Sequence, residues 1–305
     1  MRANYVIAFT LCAAACGSSS KPMMPDAAKN GFMPPAAPLD SWDNTGSTPV
    51  DLMTVDLSCL NTPSTDAATT VAVTLTTVVK DFQSHDPVPM AVVAAFDGVD
   101  STAPFVTGTA DENGNLSLVI PAGRKRFGFE MTTPNADAND QTLPTLLLNQ
   151  YLNPDPGMTT QTFSKIQSVS EATALTLPAL IGETRQNGTG VLAGALRDCS
   201  DHEISNFTAT VSSTQGTATP IDGAETYYFQ PGTDLPVRAA QEPSSSSDGL
   251  FMVIQLPVAA TAYVQMWGFK NATDLASNTM TLIAELQVPV LADTVITGDY
   301  LPLRQ

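Results

Sequence analysis

Residues Asp111 to Ile120 read Asp-Glu-Asn-Gly-Asn-Leu-Ser-Leu-Val-Ile, and this stretch decides the fold. Asn113-Gly114 supplies two residues that tolerate positive φ. Leu116, Leu118 and Ile120 then recur at the two-residue period of a half-buried strand. Upstream, Phe105 to Thr109 provides a second arm, so the segment predicts a β-hairpin. Working outward, Val71, Val73, Leu75 and Val79 alternate, Val88 to Phe96 is a β-branched run, and Phe127, Phe129 and Met131 alternate again. Leu146 to Tyr151 completes the series. Short strands at near-regular spacing, separated by turn residues, predict a β-sandwich.

The pattern breaks over residues 161–188. Ser168-Val169-Ser170-Glu171 has the form of a capping box, with Ala172, Leu175, Leu180 and Ile181 behind it, and predicts one short connecting helix that Pro178 limits. Strands return at Val191–Leu196, Ile204–Val211, Thr226–Phe229, Leu250–Leu256, Thr261–Phe269, Thr281–Val288 and Val290–Thr297.

The two halves repeat each other. Val79-Lys80-Asp81-Phe82-Gln83-Ser84-His85-Asp86 aligns with Leu196-Arg197-Asp198-Cys199-Ser200-Asp201-His202-Glu203, which places the two histidines of the chain at one position. Further on, Asp111 to Leu116 resembles Ser246 to Phe251, and each is followed by a strand ending in proline, Pro121 and Pro257.

Asp81 with Pro87-Val88-Pro89-Met90-Ala91, and Asp111, Gly114, Leu116, Leu118, Pro121 and Gly123, resemble the first turn and central hairpin of the carboxypeptidase regulatory-like domain. The second copy matches through Asp198, Gly249, Phe251, Val253 and Pro257. It departs at Ser246, which replaces the leading Asp, and at Val258-Ala259, which lacks the glycine. That resemblance implies a transthyretin-like sandwich and, usually, a non-catalytic module of a secreted or surface protein; some related sandwiches bind carbohydrate. The expected fold is therefore all-β, with two tandem Ig/transthyretin-like sandwiches at 56–160 and 189–305 joined by a connector at 161–188.

At the N-terminus, Arg2 precedes an apolar run from Tyr5 to Ala15, the form of a secretory signal too short to span a bilayer. Ala13-Ala14-Ala15-Cys16-Gly17 resembles the lipobox of bacterial lipoproteins, departing at Ala13 where that family usually has Leu. The resemblance implies a signal peptide over 1–15, lipid on Cys16 and an outer-membrane lipoprotein facing the periplasm or the surface. Residues 16–55, rich in Pro and Ser, then read as a flexible tether in which Trp42 is the one candidate to dock.

The chain has 305 residues, 43% of them hydrophobic, and a formal charge of −17. A surface so acidic repels nucleic acid and anionic headgroups, leaving the lipid as the expected membrane contact and a glycan or envelope protein as the expected partner. Cys59 and Cys199 are either a disulfide or two buried thiols; no spacing suits a metal site, and no cofactor motif occurs. His85 beside Asp81 and Asp86, and His202 beside Asp198 and Glu203, sit on loops where polar residues serve turns. No G-x-S-x-G, HExxH, P-loop or GxGxxG is present, so an enzyme is not expected, a hydrolase of unrecognised type being the remaining enzymatic reading. Tyr263 and Trp267 share a face with Gln265 and Phe269. Because Ala262, Val264 and Met266 make the other face apolar too, a buried central strand is expected, with sugar stacking on Tyr263 and Trp267 as the alternative.

Overall fold

The computed structural model describes residues 33–46, 48–133, 142–152, 158–163, 166–233 and 235–304. Cys16, the signal segment and residues 17–32 lie outside the described residues. The leading part carries β1 (Asp40–Asp43) and β2 (Val50–Asp51). In the first half follow β3 (Val73–Val78), β4 (Lys80–Asp81), β5 (Val92–Asp97), β6 (Val106–Thr109), β7 (Asn115–Ile120), β8 (Phe127–Thr132), β9 (Thr142–Leu143) and β10 (Thr145–Gln150). Next come β11 (Thr160–Thr162), β12 (Gln167–Ser170) and α1 (Glu171–Leu180). The second half begins with β13 (Gly190–Leu196), β14 (Glu203–Ser205), β15 (Thr208–Ser212), β16 (Glu225–Gln230) and β17 (Leu235–Val237). It ends with β18 (Leu250–Leu256), β19 (Ala259–Gly268), α2 (Ala272–Ala276), β20 (Thr281–Val290) and β21 (Val295–Tyr300).

The strands pair as two copies of one sandwich. Antiparallel β3–β7 and parallel β3–β11 in the first half match antiparallel β13–β18 and parallel β13–β21 in the second. Likewise β5–β8–β10 matches β15–β19–β20. The copies part at one strand, since β6 pairs with β5 but β16 pairs with β18.

A single strand joins them. β21 lies parallel to β13 on one side and to β10 on the other, so the outer sheet of each copy merges into one nine-stranded sheet, β17-β16-β18-β13-β21-β10-β8-β5-β6. The second layer of each sandwich covers opposite faces of it. Phe127, Phe129, Met131 and Leu147 point into the first core, against Leu75 and Leu118. Leu192, Ile296, Phe251 and Val253 point the other way, against Val264, Met266 and Ile283. On β10, Leu147 belongs to the first core while Leu146 and Leu148 belong to the second. Such a strand needs apolar residues on both faces, which explains the unbroken Leu146-Leu147-Leu148 run.

Three expectations need correction. The Asn-Gly turn does not close a hairpin: β7 pairs with β3, and β6 with β5, so the turn carries the chain from one sheet to the other. Turn chemistry is the same in both situations, which is why the sequence misleads. Ser168 does not cap the helix, because its backbone is engaged beside Asp81 in the β12–β4 pair. Ser170 is the cap instead, accepting from Thr173 N at 3.1 Å, and the helix buries Ala174 and Leu177 while Leu175 and Leu180 face solvent.

The third correction concerns the tether. From Met33 onward the described chain is seated on the second half. Leu39 is buried in that half's core, Trp42 Nε1 donates to Ser205 Oγ at 3.0 Å, and β1 pairs with β14. Residues 56–62, expected in the first sandwich, rest there as well, with Asn61 N donating to Leu303 O at 2.8 Å. A strap that completes an existing edge needs no hydrophobic period of its own, so composition alone reads it as linker.

Candidate binding trench and the sequence-predicted residues

The repeated turns are built alike. Asp81 Oδ1 accepts from the backbone N–H of Gln83 and Ser84, each at 3.0 Å, and Asp198 Oδ1 accepts from Ser200 and His202 at 2.9 and 3.0 Å. The second carboxylate oxygen is held from outside the turn. Ser170 N serves Asp81, whereas Ser41 Oγ at 2.7 Å and Asp56 N serve Asp198. The strap thus does for the second turn what the start of the helix does for the first.

Register shows that the histidines are not equivalent. Lys80 bridges Pro87 in one copy and Arg197 bridges Glu203 in the other, so the second turn is one residue shorter. His85, at φ 59°, corresponds to Asp201, at φ 67°, and His202 corresponds to Asp86. His202 Nδ1 lies 3.7 Å from the buried Asp198 carboxylate, while hydrogen bonds from Thr45 hold Asp43, and those from Ser58 and Ser200 hold Asp56, below the usual carboxylate range. These contacts lock the strap to the turn. No group of three or more His, Cys, Asp or Glu suited to a metal ion occurs among the described residues. Asp111 in the hairpin-like turn is held below the usual carboxylate range by Asn115, first through its side chain and then its backbone N–H, with Asn113 N adding to this.

Cys59 and Cys199 are joined as a disulfide, their Cα atoms 5.7 Å apart, which fixes the strap covalently. Tyr263 and Trp267 lie on the outer face of β19, half-buried. Between them Gln265 is fully buried, donating to Thr214 O and Glu285 Oε2 and accepting from Trp267 Nε1 at 3.2 Å. The inner face, Ala262, Val264 and Met266, is core as expected. Phe269, expected beside Trp267, is also buried.

A different place emerges as the concave site. Where α1 stops covering the face of β13 and β21 turned away from the second core, a cavity of about 440 Å³ opens. Its floor is Ala193, Gly194, Ala195, Thr297 and Gly298, small residues on neighbouring central strands that remain half-exposed. Leu177, Pro178, Val169 and Leu147 wall one end. The other end, reached at the C-terminal ends of the three parallel strands β10, β21 and β13, carries Arg126, Tyr151, Arg197, Asp201 and Asp299.

Both arginines are braced. Arg126 pairs with Asp66, donates to Asn149 O at 2.9 Å and stacks 5.3 Å from the centre of the Tyr151 ring. Arg197 contacts Asp201 and Glu203, each at 3.1 Å. Burial works against the Arg197 charge, but the hydrogen bond to Asp201 and the charges of Asp201, Glu203 and Asp299 outweigh it and raise its pKa. The lining contains no Ser, Cys or His among the described residues. Sequence reading missed this trench because its floor comes from the second half while its walls come from the first half and the connector. The available signal was the pair of small-residue stretches Ala193-Gly194-Ala195 and Thr297-Gly298, which leave a sheet surface without side chains to fill it.

No protein-family model and no curated protein matches the chain. Among solved structures it is similar to the Bacillus anthracis TIE protein, at 12% identity, 75% coverage of this chain and TM-score 0.24, spanning 33% of that protein. It is also similar to the shaft pilin SpaA of Lactobacillus rhamnosus GG, at 11% identity, covering 77% of this chain and 98% of that one with TM-score 0.20. A streptococcal ancillary pilin matches at 12% identity over 77% of this chain and 63% of its own, with TM-score 0.21.

Proposed function

We propose that this chain is a non-catalytic binding module of the cell envelope, lipid-anchored at Cys16, whose ligand occupies the trench over the β10–β21–β13 junction. The trench carries the reading. It is concave, largely apolar and within the size range of small-molecule sites, with its charged groups gathered at one end. The secretory signal and the lipobox-like Ala13-Ala14-Ala15-Cys16-Gly17 support the anchor. Cys16→Ala should move the protein from the membrane fraction to the soluble one. Native mass spectrometry of protein taken from its own envelope should show a bound small molecule that Ala195→Trp removes. Recovery of ligand-free protein from the envelope under gentle extraction would count against the trench.

A second reading, carbohydrate binding on the outer face of β19, is favoured by Tyr263 and Trp267 remaining half-exposed with a fixed Gln265–Glu285 network between them. Glycan-array binding lost on Trp267→Ala, with an unchanged melting temperature, would select it over the trench.

A further inference from the structure

We propose that the trench takes a single-chain amphiphile with a zwitterionic head. The inference rests on the binding-module reading above and deepens it. Charge, unlike polarity in general, is confined to one end of the trench. β21 presents Val295, Thr297 and Asp299 on the trench face, and Val191, Ala193 and Ala195 of β13 lie beside them. The path from Val295 to Asp299 is about 13 Å at strand rise. An apolar tail of that length would lie on a floor of Ala, Thr and Gly, between Leu147 and the helix.

At the mouth the lining charges are two arginines, Arg126 and Arg197, and two aspartates, Asp201 and Asp299. With Asp66 and Glu203 bracing the arginines, the mouth presents both signs of charge. A head of one sign would meet repulsion from part of it, whereas a head carrying both charges can face each sign. The braced arginines are held in place before a ligand arrives, which lowers the ordering cost of binding.

Dodecylphosphocholine, laurate and dodecyltrimethylammonium, all below their micelle concentrations, provide the test by titration calorimetry on the purified chain. The phosphocholine should bind saturably, at least ten-fold tighter than either singly charged analogue. Ala195→Trp should abolish binding with the thermal midpoint retained, and Thr297→Phe, farther along the floor, should do the same should the first variant be unstable. Equal affinity for all three amphiphiles overturns the head-group assignment, and absence of saturable binding overturns the proposal. If native mass spectrometry still shows a different small molecule that Ala195→Trp expels, the binding-module reading stands and the amphiphile falls.

Discussion

A Cβ placed on Gly114 would sit 3.0 Å from the carbonyl oxygen of Val79, and one on Gly249 would sit 3.0 Å from that of Leu196. Both residues have positive φ, 76° and 64°, and both accept a backbone hydrogen bond from the residue they crowd. The repeat is thus written most faithfully where the chain passes close to itself. Gly114→Ala and Gly249→Ala should each cost about 1–3 kcal/mol, combining positive-φ strain with the close contact, as read by urea denaturation. Asp81 and Asp198 were legible as a pair for the same reason: each ties its own turn through backbone N–H groups. The histidines were not, since a one-residue deletion moves His202 off the position of His85 without changing the look of the alignment. Side chains that face solvent at a turn leave no period by which the slip could be detected.

Among the elements, strands were legible wherever one face is buried, as in the alternating burial of β3 and β7. Pairing was not legible, because partners are chosen by topology that a short apolar run does not encode. For α1 the apolar residues in sequence gave the wrong face. Leu177→Ala should cost about 2–5 kcal/mol, while Leu175→Ala should cost well under 1 kcal/mol; thermal unfolding of the two variants distinguishes them. The strap has its own signature. Thr45, through its hydroxyl and then its N–H, lowers the pKa of Asp43, and Ser58 N and the Ser200 hydroxyl lower that of Asp56. The folded state therefore holds fewer protons on these groups than the unfolded chain. Their contribution is complete above the ordinary carboxylate range and is lost as the pH falls through it. Asp40 and Glu242, raised by burial, act with the opposite sign. The contribution of Asp56 is therefore read by difference: the stability gap between the native chain and Asp56→Asn should narrow as the pH falls below about 4.

At the scale of the whole molecule, two sandwiches were readable from the repeat, but their fusion was not. β21 can sit between β13 and β10 only because Leu146, Leu147 and Leu148 offer apolar surface to both cores, a property visible in sequence as a run with no period. The trench follows from that fusion, so it was beyond reach of any reading that treated the halves separately. The Cys59–Cys199 bond closes a loop across a sequence separation of 140 residues. Replacing both cysteines by serine should lower stability by about 4–5 kcal/mol in the chain-entropy picture, measured by denaturant midpoint.

The same bond determines where tension travels. Along the covalent chain a pull between the two ends crosses from Cys59 to Cys199, so the first sandwich, inside the closed loop, lies off the backbone path and meets the load where β10 pairs with β21. Stretched singly in oxidising buffer, the protein should release only the contour outside that loop. With reductant, about 490 Å more should appear, at about 3.5 Å per residue. Load reaching the N-terminal strap is therefore borne first by the second half, and passes to the first sandwich through the β10–β21 pairing.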